Sequence, residues 1–205
     1  MANRLATKGA VSVSTKKALI AKYTRDLAKM LSDSDFERYF GSDVKQKIIK
    51  YSDLKNYSDI TQLLPENFDY KIILTETTAP NTGHWCVLIR MGDVFEWFDG
   101  YGDKGAKPDG ELSFIPSALK KMFGEDKHYL SHLLKDARKR GGKVEYNKVP
   151  LQVMDQNVDT CGRWAIARLK TAQLGYSLKD FQRLIREQSE QQKKPPDILM
   201  CDWII

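Results

Sequence analysis

The chain has 205 residues, 41% of them hydrophobic, which suits one domain with a real core. No run approaches the ~18 apolar residues of a membrane span. The stretch from Met1 to Ser14 lacks the apolar segment of a signal peptide, so a soluble, unsecreted protein is expected. The net charge is +6 and uneven: residues 1–29 carry seven basic residues against Asp26, and Lys135, Arg138, Lys139, Arg140 and Lys143 cluster around Asp136.

In chain order, residues 1–13 are small, polar and aperiodic and read as a loose tail. Ser14 or Thr15 caps an expected helix running to about Leu31, with a stripe of Leu19, Ile20, Tyr23, Leu27 and Met30 assigned to the core. Helical patterning continues through Phe36, Tyr39, Phe40, Val44, Ile48 and Ile49, making 14–65 a helical N-terminal region ahead of a core over 66–205. After Pro65 the period changes. Residues 70–77 and 85–90 read as strands, and 94–98 returns as a third across Met91-Gly92-Asp93, a hairpin signal. Residues 116–123 and 129–140 read as helices and 144–149 as a fourth strand. A helix over 161–174 closes at Gly175, Ser177 and Asp180 open the next as a capping box, and residues 193–196 break it. The hairpin favours an α+β fold over a regular βαβ alternation, with a mixed, mainly antiparallel central sheet flanked by helices.

Cys86, Cys161 and Cys201 are an odd set without short-range pairing, which argues against a disulfide framework and for a reducing compartment. His128 and His132 stand four apart, but no acidic or cysteine partner is spaced to complete a metal site; no metal and no cofactor are expected. Asp103 and Asp109 read as solvated loop acids, and Cys86 and Cys201 as inert buried thiols.

Cys161 differs. A thiol attacks a carbonyl well only as thiolate, and a free cysteine, with a pKa of about 8.5, needs help near neutral pH. Cys161 opens a predicted helix, where unpaired N–H groups and the helix dipole favour an anion. His84 precedes a strand and can take the proton, and Asp99 ends the strand that the hairpin folds back beside it, so it can fix the imidazole tautomer. An oxyanion hole needs donors: the Cys161 N–H is one, and Gln152, at the fourth strand's end, or Gln156, in the following loop, is the other.

The pieces Gly83-His84-Trp85, Phe98-Asp99-Gly100-Tyr101-Gly102, Val149-Pro150-Leu151-Gln152 and Thr160-Cys161-Gly162-Arg163-Trp164, in that order, resemble the adenovirus-protease and SUMO-protease (adenain-like) clan of cysteine peptidases. Within that clan the chain looks most like the maturation proteases of virophages, Maverick-type elements and large DNA viruses. The resemblance implies a papain-like fold, with His84 as base, Asp99 as its orienter and Cys161 as nucleophile. The Pro-x-Gln setting favours Gln152 as oxyanion donor, whereas the long gap to Cys161 suits Gln156. It also implies that Trp85, Gly83, Gly162 and Trp164 contact substrate, Trp85 lining a channel for small residues.

The expected function is therefore a monomeric thiol endopeptidase that matures viral capsid or core precursors at glycine-containing sites, in host cytoplasm or nucleus and in the virion. A deconjugase of ubiquitin-like proteins would use the same chemistry. A reading of another class is a nucleic-acid-binding protein with a degenerate site. Arg138, Lys139, Arg140 and Lys143 are the candidate contacts for DNA or another polyanion, as ligand or activator.

Overall fold

Residues 82–91 are buried along both faces for most of their length, and this fixes their place at the middle of a sheet with helices on either side. The computed structural model describes residues 13–105 and 112–205; the expected tail before Val13, and Asp109, lie outside them. The sheet has the order β1 (Ile48–Lys50), β2 (Phe68–Ala79), β3 (Thr82–Met91), β4 (Val94–Phe98), β5 (Lys143–Tyr146). The three central strands are antiparallel, and each outer strand runs parallel to its neighbour. The fold is thus α+β with a mixed sheet.

The helices are α1 (Val13–Leu27), α2 (Asp33–Phe40), α3 (Ile60–Leu63), α4 (Ser117–Phe123), α5 (Tyr129–Lys139), α6 (Cys161–Gln173), α7 (Leu178–Gln192) and α8 (Pro196–Trp203). Alternation along β3 divides the core. Trp85, Val87 and Ile89 join the cluster containing Trp164, Ile166 and Phe181 of α6 and α7. Cys86 and Leu88 join the cluster containing Leu130, Leu133 and Leu134 of α5. In α5 the buried residues Leu130, Leu133, Leu134 and Ala137 fall one helical turn apart, the apolar stripe of a helix laid on a sheet.

α6 is buried around most of its circumference, including Arg163 and Arg168. Arg168 reaches across to β4 and grips Glu96 with two hydrogen bonds, Nε to Oε1 at 2.7 Å and a terminal nitrogen to Oε2 at 2.6 Å. The pair is wholly inaccessible to solvent. Burial pushes the Glu96 carboxyl up and Arg168 opposes that shift. A buried pair of this kind adds little net stability, because desolvation offsets the attraction, yet losing one partner is costly.

Three sequence expectations need correction. The first helix ends at Leu27, and its supposed core residues Leu19, Ile20 and Met30 are exposed. α1 packs against α8, and among the described residues that contact leaves Leu19 and Ile20 uncovered while Tyr23 and Leu27 are partly buried. Ile48 and Ile49 are not helical: they form β1, pairing with Ile72 and Ile73. The fourth expected strand stops at Tyr146, because Asn147 turns the chain: its amide donates to the Asp99 and Val149 carbonyls. The stretch after 196, assigned no element from sequence, is α8, entered through Pro196 at its first turn.

Candidate active site

The register of the hairpin carries the site. Met91 pairs with Val94 across the two-residue turn Gly92-Asp93, and pairing continues to Val87 opposite Phe98. Asp99 is the next residue of β4's path, and His84 lies on β3 opposite Thr75 of β2. The two side chains meet there: His84 Nε2 stands 2.7 Å from Asp99 Oδ1. His84 is 4% exposed and Asp99 1%. The same Oδ1 accepts from the Tyr101 N–H at 2.9 Å, and Asn147 anchors the Asp99 carbonyl at 2.7 Å. The carboxylate is therefore held from its backbone and its side chain together.

The imidazole is boxed. Tyr101 stacks on it with ring centroids 4.3 Å apart and planes 6° from parallel, and Phe114 meets it edge-on at 5.5 Å. Burial alone would lower the basicity of His84. The Asp99 carboxylate outweighs it and, with Cys86 and Cys161 acting in the same direction, holds the imidazole well above its ordinary range. Nδ1, the nitrogen turned from Asp99, is buried and makes no full hydrogen bond.

Cys161 is the first residue of α6, so its N–H is among those with no intrahelical acceptor. Two cavities, of 510 and 370 Å³, meet at Cys161, Gly83 and Met30. The larger is walled by Trp85 and Leu31, the smaller by His84, Tyr101 and Phe114. The other thiols are unlike Cys161 in setting: burial, with Asp99 next in effect, pushes Cys86 up to about 12, and burial pushes Cys201 up to about 11.

The roof of the cleft is the link between α1 and α2. The Asp159 N–H donates to the Leu27 carbonyl at 2.7 Å, Arg163 to Lys29 at 2.8 Å, and the Trp85 indole to Leu31 at 3.0 Å. One glycine permits this closeness, and another the close pass of β3 by β2. A Cβ at Gly162 would come within 2.8 Å of Leu31, and one at Gly83 within 1.9 Å of the Thr75 carbonyl oxygen.

His84, Cys86 and Asp99 form a buried group whose ligating atoms lie within 4.8 Å of one another. The 2.7 Å separation of Nε2 and Oδ1 is a hydrogen bond. Two ligands about 2.0–2.1 Å from one tetrahedral ion would stand roughly 3.3 Å apart. The residues as arranged do not fit a metal centre.

No protein-family model matches the chain, and no solved structure matches it. It is 30% identical over 168 residues to "uncharacterized protein V9" of Sputnik virophage, an alignment covering 82% of this chain and 90% of that one. The chain belongs to the virophage protein V9 family.

In this V9-family member the sequence-assigned residues fall into three groups. His84, Asp99, Cys161, Gly83 and Trp85 come together at the cleft. Gln152 and Gln156 part company: Gln152 is 3% exposed, wedged against Gly100, its amide without a hydrogen bond, while Gln156 is exposed and lines the smaller cavity. Trp164, expected at the substrate, lines neither cavity. It is fully buried beneath the site and its indole donates to Asp197 at 2.8 Å. Gly162 acts by letting the roof approach and does not line either cavity.

Of the basic cluster, Arg140 is engaged by Asp136 at 2.8 Å and Asp59 at 3.4 Å, and Lys143 by Asp93 at 3.3 Å. Arg138 and Lys139 remain exposed at the end of α5, where cations complement the helix dipole. No helix among the described residues is long and apolar enough to cross a membrane.

Residues that sequence reasoning missed in this V9 relative are Tyr101, Phe114, Asn147, Met30 and Asp197. Tyr101 sits inside Phe98-Asp99-Gly100-Tyr101-Gly102, so the motif itself carried that signal. Phe114 and Asp197 lie far from any motif and are brought in only by the fold.

Proposed function

We propose that this V9-family protein is a cysteine endopeptidase. The observation that carries the reading is a buried imidazole with one nitrogen bonded to Asp99 and the other free, in the cavity that Cys161 enters from a helix start. A helix-borne cysteine facing a sheet-borne His–Asp pair is what a papain-like fold of the adenovirus-protease and SUMO-protease clan would supply.

In this mechanism Asp99 holds the proton-bearing Nε2 and keeps the ring oriented. Nδ1 takes the thiol proton, and the Cys161 thiolate attacks the scissile carbonyl. The tetrahedral oxyanion is met by the Cys161 N–H and by the Gln152 amide, whose burial without a partner supports that role over Gln156. Nδ1 then protonates the leaving amine and activates the water that releases the acyl-enzyme. Tyr101 and Phe114 shield the imidazole from bulk water. The substrates of this reading are capsid or core precursors cut at glycine-containing sites, in keeping with a virophage family.

The test is co-expression of wild type or Cys161→Ala with candidate virophage capsid proteins, followed by mass spectrometry of new termini. Cleavage that needs Cys161 is expected. Intact precursors, together with turnover of ubiquitin-like fusions, would replace this reading with deconjugation. Intact precursors and no thiol-probe labelling of Cys161 would remove enzyme chemistry altogether.

A further inference from the structure

The chain carries more Lys and Arg than Asp and Glu, 33 against 27. The cleft reverses that balance. Among the described residues, the charged side chains lining its two cavities, His84 apart, are Asp33 on one side of Cys161 and Asp155 and Asp159 on the other. No lysine or arginine lines either cavity among those residues.

These carboxylates also lack a cationic partner among the described residues. Elsewhere Asp26, Asp35, Asp69, Asp136 and Asp202 are each paired with a lysine or arginine. Asp33, Asp155 and Asp159 enter no salt bridge among the described residues. Asp155 accepts only neutral donors, the Asn157 N–H at 2.8 Å and its side-chain amide at 3.1 Å. Burial pushes the Asp159 carboxyl up, the mark of an anion short of a counter-charge. A second observation makes this a binding cleft rather than a solvated acidic patch: the three acids line cavities of 510 and 370 Å³ that meet at Cys161, and His84, whose buried Nδ1 has no hydrogen-bond partner, lines the one that Asp155 and Asp159 share.

We propose that the cleft selects a basic peptide, one carrying lysine or arginine on both sides of the residues seated at Cys161, with Asp33 contacting one flank and Asp155 and Asp159 the other. The inference rests on the endopeptidase reading for the direction in which the peptide is used, and names its substrate class. A cation on Asp159 has a second effect. It cancels a negative charge two residues from the nucleophile, in the cavity where thiolate must form, so the right substrate assists its own attack.

The experiment uses fluorescein-labelled Lys-Lys-Ala-Gly-Gly-Ala-Lys-Lys and the same peptide with all four lysines replaced by glutamate. Binding is read by anisotropy on Cys161→Ser, and kcat/KM on the wild type. Lysine flanks should bind roughly tenfold tighter at low ionic strength, with the gap closing as salt rises. Asp33→Asn/Asp155→Asn/Asp159→Asn should lose the preference; if the triple variant does not fold, the single Asp155→Asn and Asp159→Asn variants should each reduce it. Equal binding of the two peptides, or a preference unchanged in these variants, overturns the proposal and leaves the endopeptidase reading standing. Charge-selective binding without turnover of any peptide would keep the basic-peptide cleft and remove the endopeptidase.

Discussion

Asp197, in the first turn of the last helix, accepts a hydrogen bond from the hydroxyl of Thr160, the residue immediately before Cys161. The same carboxylate accepts from the Trp164 indole at 2.8 Å and from the Val153 N–H at 2.9 Å. One buried acid thus ties the start of α6 to the loop that leaves Gln152.

Replacing Asp197 with alanine strands three donors, two of them on buried residues. The expected loss is about 2–3 kcal/mol of stability, as for a buried charged acceptor removed from its donors. Thermal unfolding should show it as a lowered Tm. Labelling of Cys161 by a thiol probe should slow as well, because the helix start loses its anchor. An Asp197→Ala protein with unchanged Tm and labelling would mean that the network is ornamental.

Iodoacetamide near pH 7 should modify Cys161 well ahead of the other thiols. Burial holds Cys86 at about 12 and Cys201 at about 11, so neither forms appreciable thiolate there. Peptide mapping after brief exposure checks this. Labelling spread evenly over the three would count against activation of Cys161.

His84 should make stability depend on pH in a definite direction. Its folded pKa lies well above the unfolded value of about 6.5. The contribution of the protonated imidazole beside Asp99 is therefore complete below about pH 6.5 and is lost as pH rises through the folded value. Tm measured against pH should fall across that alkaline interval in the wild type. Asp99→Asn, which removes the carboxylate, should flatten the fall and leave little catalysis. A wild-type-like pH profile in that variant would separate Asp99 from His84.

Much of this site was legible because it depends on local rules. A two-residue turn between apolar runs fixes which strand ends meet, so His84 and Asp99 could be joined from spacing alone. A cysteine followed by a helical period announces a helix start. Other features depend on what covers what. Leu19 and Ile20 repeat like core residues, yet among the described residues they are left exposed. Ile48-Ile49-Lys50 is too short to declare itself a strand without β2 beside it. Asp197 looks like an ordinary first-turn acid until tertiary contact brings Thr160 and Trp164 to it.

The two glutamines should separate kinetically. Gln152→Ala should lower kcat by about 10²–10³, the usual effect of losing one oxyanion donor, and Gln156→Ala by less. Single-turnover acylation is the measurement that isolates the step. The reverse order would place the exposed loop residue at the oxyanion.

Arg168→Leu should destabilise by about 3–5 kcal/mol, because it leaves Glu96 charged and buried alone, while the double change Arg168→Leu/Glu96→Leu should recover much of the loss. Denaturant titration of the two variants decides it. Equal stability of both would mean that the pair is not coupled.

The roof over the cleft has a consequence for when this protein can act. Its link to Arg163 joins residues 134 positions apart, and Asp197 steadies the helix start from further along still. Contacts of such separation form late in folding, and synthesis runs from the N-terminus. While the chain is still being made, Met30 and Leu31 have no floor to close upon and Cys161 has no anchored helix. The completed cleft arises only when α8 has docked, so on the endopeptidase reading a chain made only as far as α7 would leave precursors uncut. On the endopeptidase reading, cutting would wait until the chain through α8 has been made and docked, a delay written into the order of these elements.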